Sequence, residues 1–203
     1  MCVILIGKVS EIRKVGLDNA WACNPDGAGF AYPDNRGKVR TIKGLMTLEA
    51  LQDALGSVSR STKIALHLRL ATHGSVSAQN THPFPIGRSG SVLMHNGVLG
   101  AFGKPGTSGV SDSADLARVL GDIKDPRDRE KVIGSLSGMF AIINAKGILV
   151  MGSKRWVSIG KGGVIASNDH FVTKTQFQRD WYQLLESRKQ DRESVWNWRE
   201  DAM

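Results

Sequence analysis

The residue best suited to covalent chemistry is Cys2, at the second position of the chain. If Met1 is removed, Cys2 carries both a thiol and a free α-amine. An α-amine titrates at about 7.7–8.0, so near neutral pH part of it is unprotonated and can take the proton of the neighbouring thiol. Alternatively, Cys2 is a small apolar residue that opens the apolar run 2–6, which predicts a buried strand. This stretch alone favours the structural interpretation.

Residues 63–71 place polar side chains on the pattern of a strand. Apolar and polar residues alternate strictly, so that one face is apolar and the other carries His67 and Arg69. This alternation predicts an antiparallel strand with one solvent-exposed face, and an active site would also fit it. A solvent-exposed strand face does not explain the segment that follows, residues 80–85, where two prolines and a phenylalanine predict a rigid loop with an aromatic side chain.

Two shorter motifs allow both a structural and a chemical interpretation. His95-Asn96-Gly97 ends a short predicted strand, and Asn-Gly is the dipeptide most typical of a hairpin turn. Ser111-Asp112-Ser113 precedes a helical pattern, where such residues cap helix N-termini. Between them, residues 100–109 hold four glycines. Their spacing is not that of a phosphate-binding loop, and the composition predicts a mobile lid.

Metal binding and a second nucleophile are not favoured by the sequence. The histidines lack the close pairs of a structural zinc site, and no cysteine pair completes them; those considered are His67, His73, His82 and His95. Cys23 precedes a turn with no evident base, so buried packing is the better interpretation. We expect no metal and no cofactor.

Composition restricts the class of protein without deciding it. The 203 residues, 41% of them hydrophobic, suit one domain. The net charge of +8 is compatible with weak nucleic-acid association, although a basic solvated surface is the simpler interpretation. Two cysteines form no disulfide framework, the first apolar run ends too early at Lys8 for a secretory signal, and no run reaches transmembrane length. A cytoplasmic protein is therefore expected.

The order of elements predicts the fold class. Strands are expected before residue 46 and between residues 63 and 96, and helices are expected after Thr47 and Ser111 and over residues 125–137. Four short strands after Gly138 predict an antiparallel meander. Strands in two batches with helices between them indicate an α+β fold with two antiparallel sheets. Residues 175–200 predict a C-terminal helix.

Six motifs in order resemble the class II glutamine amidotransferase domain over about residues 2–172. They are Met1-Cys2, Arg69-Leu70-Ala71-Thr72-His73-Gly74, Asn80-Thr81-His82-Pro83-Phe84, His95-Asn96-Gly97, Ser111-Asp112-Ser113 and Gly138-Met139-Phe140-Ala141. The resemblance implies the fold of N-terminal-nucleophile hydrolases, a four-layer α-β-β-α sandwich with two stacked antiparallel sheets. It places that domain at residues 1–172 and leaves residues 173–203 as a helical tail docked on it.

The resemblance also implies roles for individual residues. Cys2 would attack the side-chain amide of glutamine, giving a γ-glutamyl thioester and ammonia. The amide of Asn96 and the backbone N–H of Gly97 would stabilise the oxyanion. The remaining residues would form the glutamine pocket, in which the planar guanidinium suits the α-carboxylate and the aspartate would bind the α-ammonium; they are Arg69, Thr72, His73 and Asp112.

Two departures from the family pattern leave the activity open. Val3 stands where relatives commonly have glycine, and Leu70 stands where synthase-linked relatives often have an aromatic residue. In addition, 203 residues leave no room for a synthase domain. We therefore expect a separate partner protein that supplies the ammonia acceptor, or a stand-alone hydrolase of γ-glutamyl or related amides. A non-catalytic binding or structural protein with the same fold is the third hypothesis.

Overall fold

Two antiparallel sheets organise the computed structural model, which describes residues 2–102 and 109–172. The strands of the six-stranded sheet are, in spatial order, β3 (Val39–Leu45), β2 (Ala28–Pro33), β4 (Lys63–Leu68), β1 (Val3–Lys8), β10 (Val164–Ala166) and β9 (Val157–Ile159). Those of the four-stranded sheet are β5 (Phe84–Pro85), β6 (Val92–Asn96), β7 (Met139–Asn144) and β8 (Gly147–Gly152).

The helices expected after Thr47 and Ser111 and over residues 125–137 are present and begin at a side-chain cap, whereas the two helices within residues 9–23 were not expected from the sequence. Thr47, Ser111 and Asp125 each accept a hydrogen bond from a backbone N–H of the first turn. The helices of the described residues are α1 (Val9–Ile12), α2 (Leu17–Cys23), α3 (Leu48–Gly56), α4 (Asp112–Asp122) and α5 (Pro126–Gly134), with a 3₁₀ turn at Ala78–Asn80. None of these helices is long and apolar enough to cross a membrane.

Three apolar layers hold the elements together. The first lies between the six-stranded sheet and α1 to α3, and it contains Leu51 and Leu55 of α3 together with Phe30 and Leu66 of the sheet. The second lies between the two sheets. The third lies between the four-stranded sheet and α4 and α5. Three layers of core separate four layers of structure, so the predicted α-β-β-α sandwich is confirmed.

The second sheet explains why the prediction of a solvent-exposed face on β4 is wrong. Ala65 and His67 are completely buried, as are Ile64 and Leu66 on the opposite face. One face of β4 packs on the helices, and the other faces the four-stranded sheet, with Ala65 in the layer between the sheets. In β4, the alternation of apolar and polar residues thus belongs to a strand that is buried on both faces.

Two further expectations differ from the structure. The four strands after Gly138 do not form one meander, because β8 pairs with β7 in one sheet and β9 pairs with β10 in the other. The Asn-Gly dipeptide is not a hairpin turn, because β6 pairs with β5 and β7 and the chain continues from Gly97 toward α4. Residues 103–108 of the predicted lid and the predicted tail 173–203 lie outside the described residues.

Candidate active site

The thiol of Cys2 lies against the backbone of Leu70. The Sγ atom is 3.3 Å from both the N and the O of Leu70, accepting a hydrogen bond from the first and donating one to the second. Pairing of β1 with β4, in which Val3 faces Leu68, brings the two segments together. On its other side, the carbonyl oxygen of Cys2 accepts a hydrogen bond of 2.8 Å from Asn168 Nδ2. Cys2 is thus fixed from two directions.

The surroundings of Cys2 keep its thiol protonated. Burial raises the pKa of the Cys2 thiol above its usual value, while the hydrogen bond from Leu70 and the positive charge of Arg69 act in the opposite direction. The thiolate is the nucleophilic form of cysteine. Attack by Cys2 therefore requires a base that removes the proton.

Arg69 is a buried cation that binds the loop following it. Its Nη1 donates to Ser75 O at 2.8 Å and its Nη2 to His73 O at 2.9 Å. Burial lowers the pKa of the Arg69 guanidinium, and the nearby acidic groups of Cys2, Asp26 and Asp112 oppose that effect. Arg69 is therefore placed among these three groups, and part of its donor set is used to hold residues 73–75.

Asp26 fixes the segment that carries Arg69. Its Oδ2 accepts a hydrogen bond of 2.7 Å from Ala71 N, and its own N donates to Arg69 O at 3.0 Å. Arg69 N in turn donates to Gly27 O at 2.9 Å. The sequence indicates only a turn here, whereas Asp26 holds the backbone on both sides of Leu70, Ala71 through its carboxylate and Arg69 through its own backbone N–H.

Asn80 connects the same loop to the start of α4. Its Nδ2 donates to Ser75 O at 3.0 Å and also to Gly109 O. Its Oδ1 accepts a hydrogen bond of 3.1 Å from the backbone N of Ser111, the residue before Asp112. This one buried amide therefore sets the distance between the loop held by Arg69 and the helix that carries Asp112.

Asn96 is held by a residue at the end of the other sheet. Its Nδ2 donates a hydrogen bond of 2.8 Å to Ser167 Oγ, and the same oxygen accepts one of 2.9 Å from Ile4 N. Ser167 N also donates to Ile4 O at 2.9 Å. The predicted oxyanion donor is therefore linked through one hydroxyl to the strand that begins after Cys2.

The residue after Asn96 must be glycine for steric reasons. A Cβ atom at Gly97 would lie 2.7 Å from His95 Nε2 and 3.2 Å from Gly138 Cα. Gly97 also has φ of 156°, where residues with side chains are rare. The His95 ring occupies this space because it stacks on Phe140, with 4.7 Å between ring centroids.

Asp112 accepts hydrogen bonds on both carboxylate oxygens. Oδ2 accepts one of 2.9 Å from Leu99 N, and Oδ1 accepts from Ser113 N at 2.7 Å and Ser113 Oγ at 3.1 Å. Because the Ser113 hydroxyl donates to Asp112, it accepts from His95 Nδ1 at 3.0 Å. This chain of hydrogen bonds assigns the Nδ1–H tautomer to His95 and holds the carboxylate in one orientation.

The candidate site region contains three buried histidines, His67, His82 and His95, which are neutral at physiological pH. Burial lowers the pKa of His67 to about 3 and that of His95 to about 4, and the pKa of His82 lies well below its usual value for the same reason. The rings of His67 and His82 are stacked, with 3.8 Å between their centroids. Neither nitrogen of His82 has a hydrogen-bond partner among the described residues.

The residues that the structure describes contain no group of three or more His, Cys, Asp or Glu able to hold a metal ion.

Among the described residues, the side chains of Thr72 and His73 are hydrogen-bonded only to each other. The Thr72 side chain is exposed, and its Oγ1 is 3.5 Å from His73 Nδ1. Among the described residues, neither side chain is hydrogen-bonded to Cys2, Asn96 or Asp112. The His73 backbone, in contrast, accepts a hydrogen bond from Arg69.

Residues 16–150 match the family model of the class-II glutamine amidotransferases. The chain belongs to this family. It is 36% identical over 106 residues to glutamine–fructose-6-phosphate aminotransferase of Legionella pneumophila (strain Lens), covering 49% of this chain and 17% of that one. It is 41% identical over 92 residues to the enzyme of the same name from Streptococcus agalactiae serotype III, covering 44% and 15%. This amidotransferase chain thus matches less than a fifth of the length of either relative.

A solved structure shares the fold of this class II amidotransferase. It is glutamine phosphoribosylpyrophosphate amidotransferase from B. subtilis, with a TM-score of 0.59 and 23% identity, covering 84% of this chain and 42% of that one. The likeness confirms the N-terminal-nucleophile type of fold expected from the sequence.

Three residues that hold the candidate site were missed by sequence reasoning. Asp26 carried a signal only as a turn residue, although an acid directly after Pro25 could have been weighed as an acceptor for a backbone N–H. Ser167 and Asn168 gave no local signal. Their partners, Ile4, Asn96 and Cys2, are 71 to 166 residues away in the chain.

Proposed function

We propose that this chain is a glutaminase that releases ammonia from the side-chain amide of glutamine. Cys2 Sγ attacks the amide carbon, the C–N bond breaks, and a γ-glutamyl thioester and ammonia form. Water then hydrolyses the thioester to glutamate and regenerates the thiol. The proposal requires removal of Met1, because this removal frees the α-amine of Cys2. We expect Met1 to be removed because cysteine is small.

The α-amine is the base in this proposal. Because burial raises the pKa of the Cys2 thiol, little thiolate exists at neutral pH, and the α-amine takes the proton as the C–S bond forms. The same amine then gives the proton to the departing nitrogen. No other side chain with a suitable pKa is required for either transfer.

The predicted donors and ligands take the remaining roles. Asn96 Nδ2 donates one of its two hydrogens to Ser167 Oγ. Its second N–H and the backbone N–H of Gly97 bind the oxyanion. Arg69 binds the α-carboxylate and Asp112 the α-ammonium of glutamine. Thr72 and His73 line the entrance to this pocket.

The proposal rests on one observation above the others. Cys2 Sγ accepts a hydrogen bond of 3.3 Å from Leu70 N, directly after Arg69. Arg69 and Asn80 both bind Ser75 O, and Asn80 also binds the backbone N of Ser111, the residue before Asp112. A nucleophile, a buried cation and a buried carboxylate on segments joined in this way suit a free amino acid with a reactive side chain.

The acceptor of the ammonia is proposed to lie on a separate protein. The matched relatives are named as aminotransferases of fructose 6-phosphate, and this chain matches only 17% and 15% of their lengths. A cytoplasmic location and weak nucleic-acid association stay predictions from the cysteine content and the net charge.

Glutamine hydrolysis by the purified chain tests the proposal. Ammonia and glutamate should appear in equal amounts, Cys2→Ala should lose the activity, and Cys23→Ala should keep it. Intact-mass measurement should find Met1 removed, and a diazoketone analogue of glutamine should add one adduct at Cys2. Hydrolysis that survives Cys2→Ala, or a mature chain that retains Met1 and is still active, would contradict the mechanism.

A further inference from the structure

A cleft of about 260 Å³ adjoins the predicted oxyanion donors, Asn96 and Gly97. Its wall includes Asn168, whose Nδ2 donates to the carbonyl oxygen of Cys2. The cleft therefore lies beside the residue that bears the thiol. The described residues that line it do not include Arg69 or Asp112. It is thus separate from the groups proposed to bind the amino-acid end of glutamine.

The cleft is much larger than the leaving group of glutamine needs. Ammonia is about the size of water, which takes about 30 Å³ in the liquid. A volume of about 260 Å³ beside Asn96 and Gly97 accommodates an amine with several additional heavy atoms.

The charge of the lining favours an anion. Lys154 and His170 contribute to the wall, and the described lining residues include no aspartate or glutamate. Lys154 is exposed and forms no ion pair among the described residues. A cation beside a polar wall without compensating acids attracts negatively charged ligands.

The position of Lys154 is defined by its neighbour. Ser153 N donates to Gly138 O at 3.0 Å, and Ser153 Oγ accepts from Gly138 N at 3.1 Å. Gly138 in turn packs against the His95 ring next to Gly97. The loop that carries Lys154 is therefore attached to the residues that form the oxyanion site.

We propose that this cleft binds the amine half of a γ-glutamyl amide, and that the amine carries a carboxylate or phosphate group. The proposal rests on the proposed function, because it assumes that Cys2 accepts the γ-glutamyl group. Attack by Cys2 Sγ forms the C–S bond and breaks the C–N bond. The amine leaves with the proton that the α-amine took from the thiol, and water then releases glutamate.

A matched set of substrates tests the proposal on the full chain. γ-Glutamylglycine carries a carboxylate on its amine half, γ-glutamylglycinamide has the same shape without the charge, and the γ-glutamyl derivative of aminomethylphosphonate replaces the carboxylate by a phosphonate. Glutamine is measured in parallel. The variants are Lys154→Met and Lys154→Glu, with Lys63→Met as the control, because Lys63 is exposed at the opposite end of β4 from Arg69.

We expect kcat/KM for γ-glutamylglycine to exceed that for γ-glutamylglycinamide by about threefold to fivefold at low salt, the range of an exposed ion pair. The ratio should fall to about one in Lys154→Met, reverse in Lys154→Glu, stay unchanged in Lys63→Met, and decrease at high salt. The phosphonate substrate distinguishes a phosphate preference from a carboxylate preference.

Equal kcat/KM for the charged and neutral amides, or a preference that survives both Lys154 variants, overturns the proposal. Hydrolysis of glutamine alone also overturns it and leaves the proposed glutaminase intact. Hydrolysis of γ-glutamylglycine without hydrolysis of glutamine supports the cleft and refutes the glutaminase. Failure to hydrolyse any of the four compounds refutes both.

Discussion

The side-chain amide of Asn96 and the hydroxyl of Ser167 form a hydrogen bond of 2.8 Å that joins the ends of the two sheets. Asn96 ends β6 of the four-stranded sheet, whereas Ser167 follows β10 of the six-stranded sheet. Because Ser167 Oγ also accepts from Ile4 N, the orientation of the proposed oxyanion donor depends on the strand that starts next to Cys2.

Ser167→Ala should therefore lower kcat for glutamine by about tenfold with little change in KM. The proposed donor loses its fixed orientation, while Arg69 and Asp112, the proposed ligands of the substrate, are unchanged. Asn96→Ala removes the donor itself and should cost about 10²–10³ in kcat. Steady-state kinetics, with melting temperatures as a check on folding, measure both effects. Ser158→Ala, on the exposed face of β9, is the control, and an unchanged kcat in Ser167→Ala would remove Ser167 from this role.

Arg69→Lys separates two functions of the same side chain. If Arg69 binds the α-carboxylate, kcat/KM for glutamine should fall about 30–100-fold, the cost of a lost charge-assisted hydrogen bond. Hydrolysis of 4-aminobutanamide, which lacks the carboxylate, should change much less. An equal loss for both substrates would indicate that Arg69 acts only by holding the carbonyl groups of His73 and Ser75. Arg60→Lys, an exposed site, should leave both rates unchanged.

Ser113→Ala tests the hydrogen bonds behind Asp112. The variant removes a donor from Asp112 Oδ1 and leaves His95 Nδ1–H without an acceptor in a buried site. The free energy of unfolding should fall by about 1–3 kcal/mol, and KM for glutamine should rise several-fold. Ser113→Thr restores the hydroxyl and should recover KM. If both variants behave alike, the hydroxyl does not position Asp112.

The buried histidines predict a loss of stability in mild acid. An unfolded histidine binds a proton below about pH 6.5, whereas folded His95 and His67 remain neutral until about pH 4 and pH 3. The unfolded state therefore binds more protons as the pH falls from 6.5 toward 4, and each histidine lowers the free energy of unfolding by about 1.4 kcal/mol per pH unit.

His82→Phe isolates one of these groups. The ring contacts with His67 and Phe84 can be kept by a phenyl ring, but the titrating group is gone. Urea denaturation at several pH values between 6.5 and 4.5 should give a slope smaller by about 1.4 kcal/mol per pH unit. A slope in His82→Phe equal to that of the wild type would mean that His82 is protonated in the folded state.

The sequence was sufficient for most strands, for the helices that follow Thr47, Ser111 and Asp125 and for the family, but not for the two helices within residues 9–23 or for the surroundings of the site. Helix caps such as Thr47 and Ser111 act within four residues, so local patterns predict them. The six ordered motifs likewise identified the family that the match over residues 16–150 confirms. The roles of Cys2, Asn96 and Asp112 stay predictions until the kinetics are measured.

What local patterns could not supply is the pairing of distant segments. The polar face of β4 is buried because a sheet formed by residues 84–152 covers it, and nothing near His67 indicates that cover. β8 and β9 are separated by only a short connection, and strand periodicity does not tell which sheet each joins. The support that Ser167 gives to Asn96 likewise spans 71 residues.

Pairing of β1 with β10, in which Leu5 faces Ala166, has a consequence for synthesis. Cys2 and Ile4 emerge from the ribosome first, yet their partners, Asn168 for the Cys2 carbonyl group and Ser167 for Ile4 N, are translated more than 160 codons later. Because contacts so far apart in sequence form late, a nascent chain carries Cys2 without these contacts until translation of the domain is almost complete.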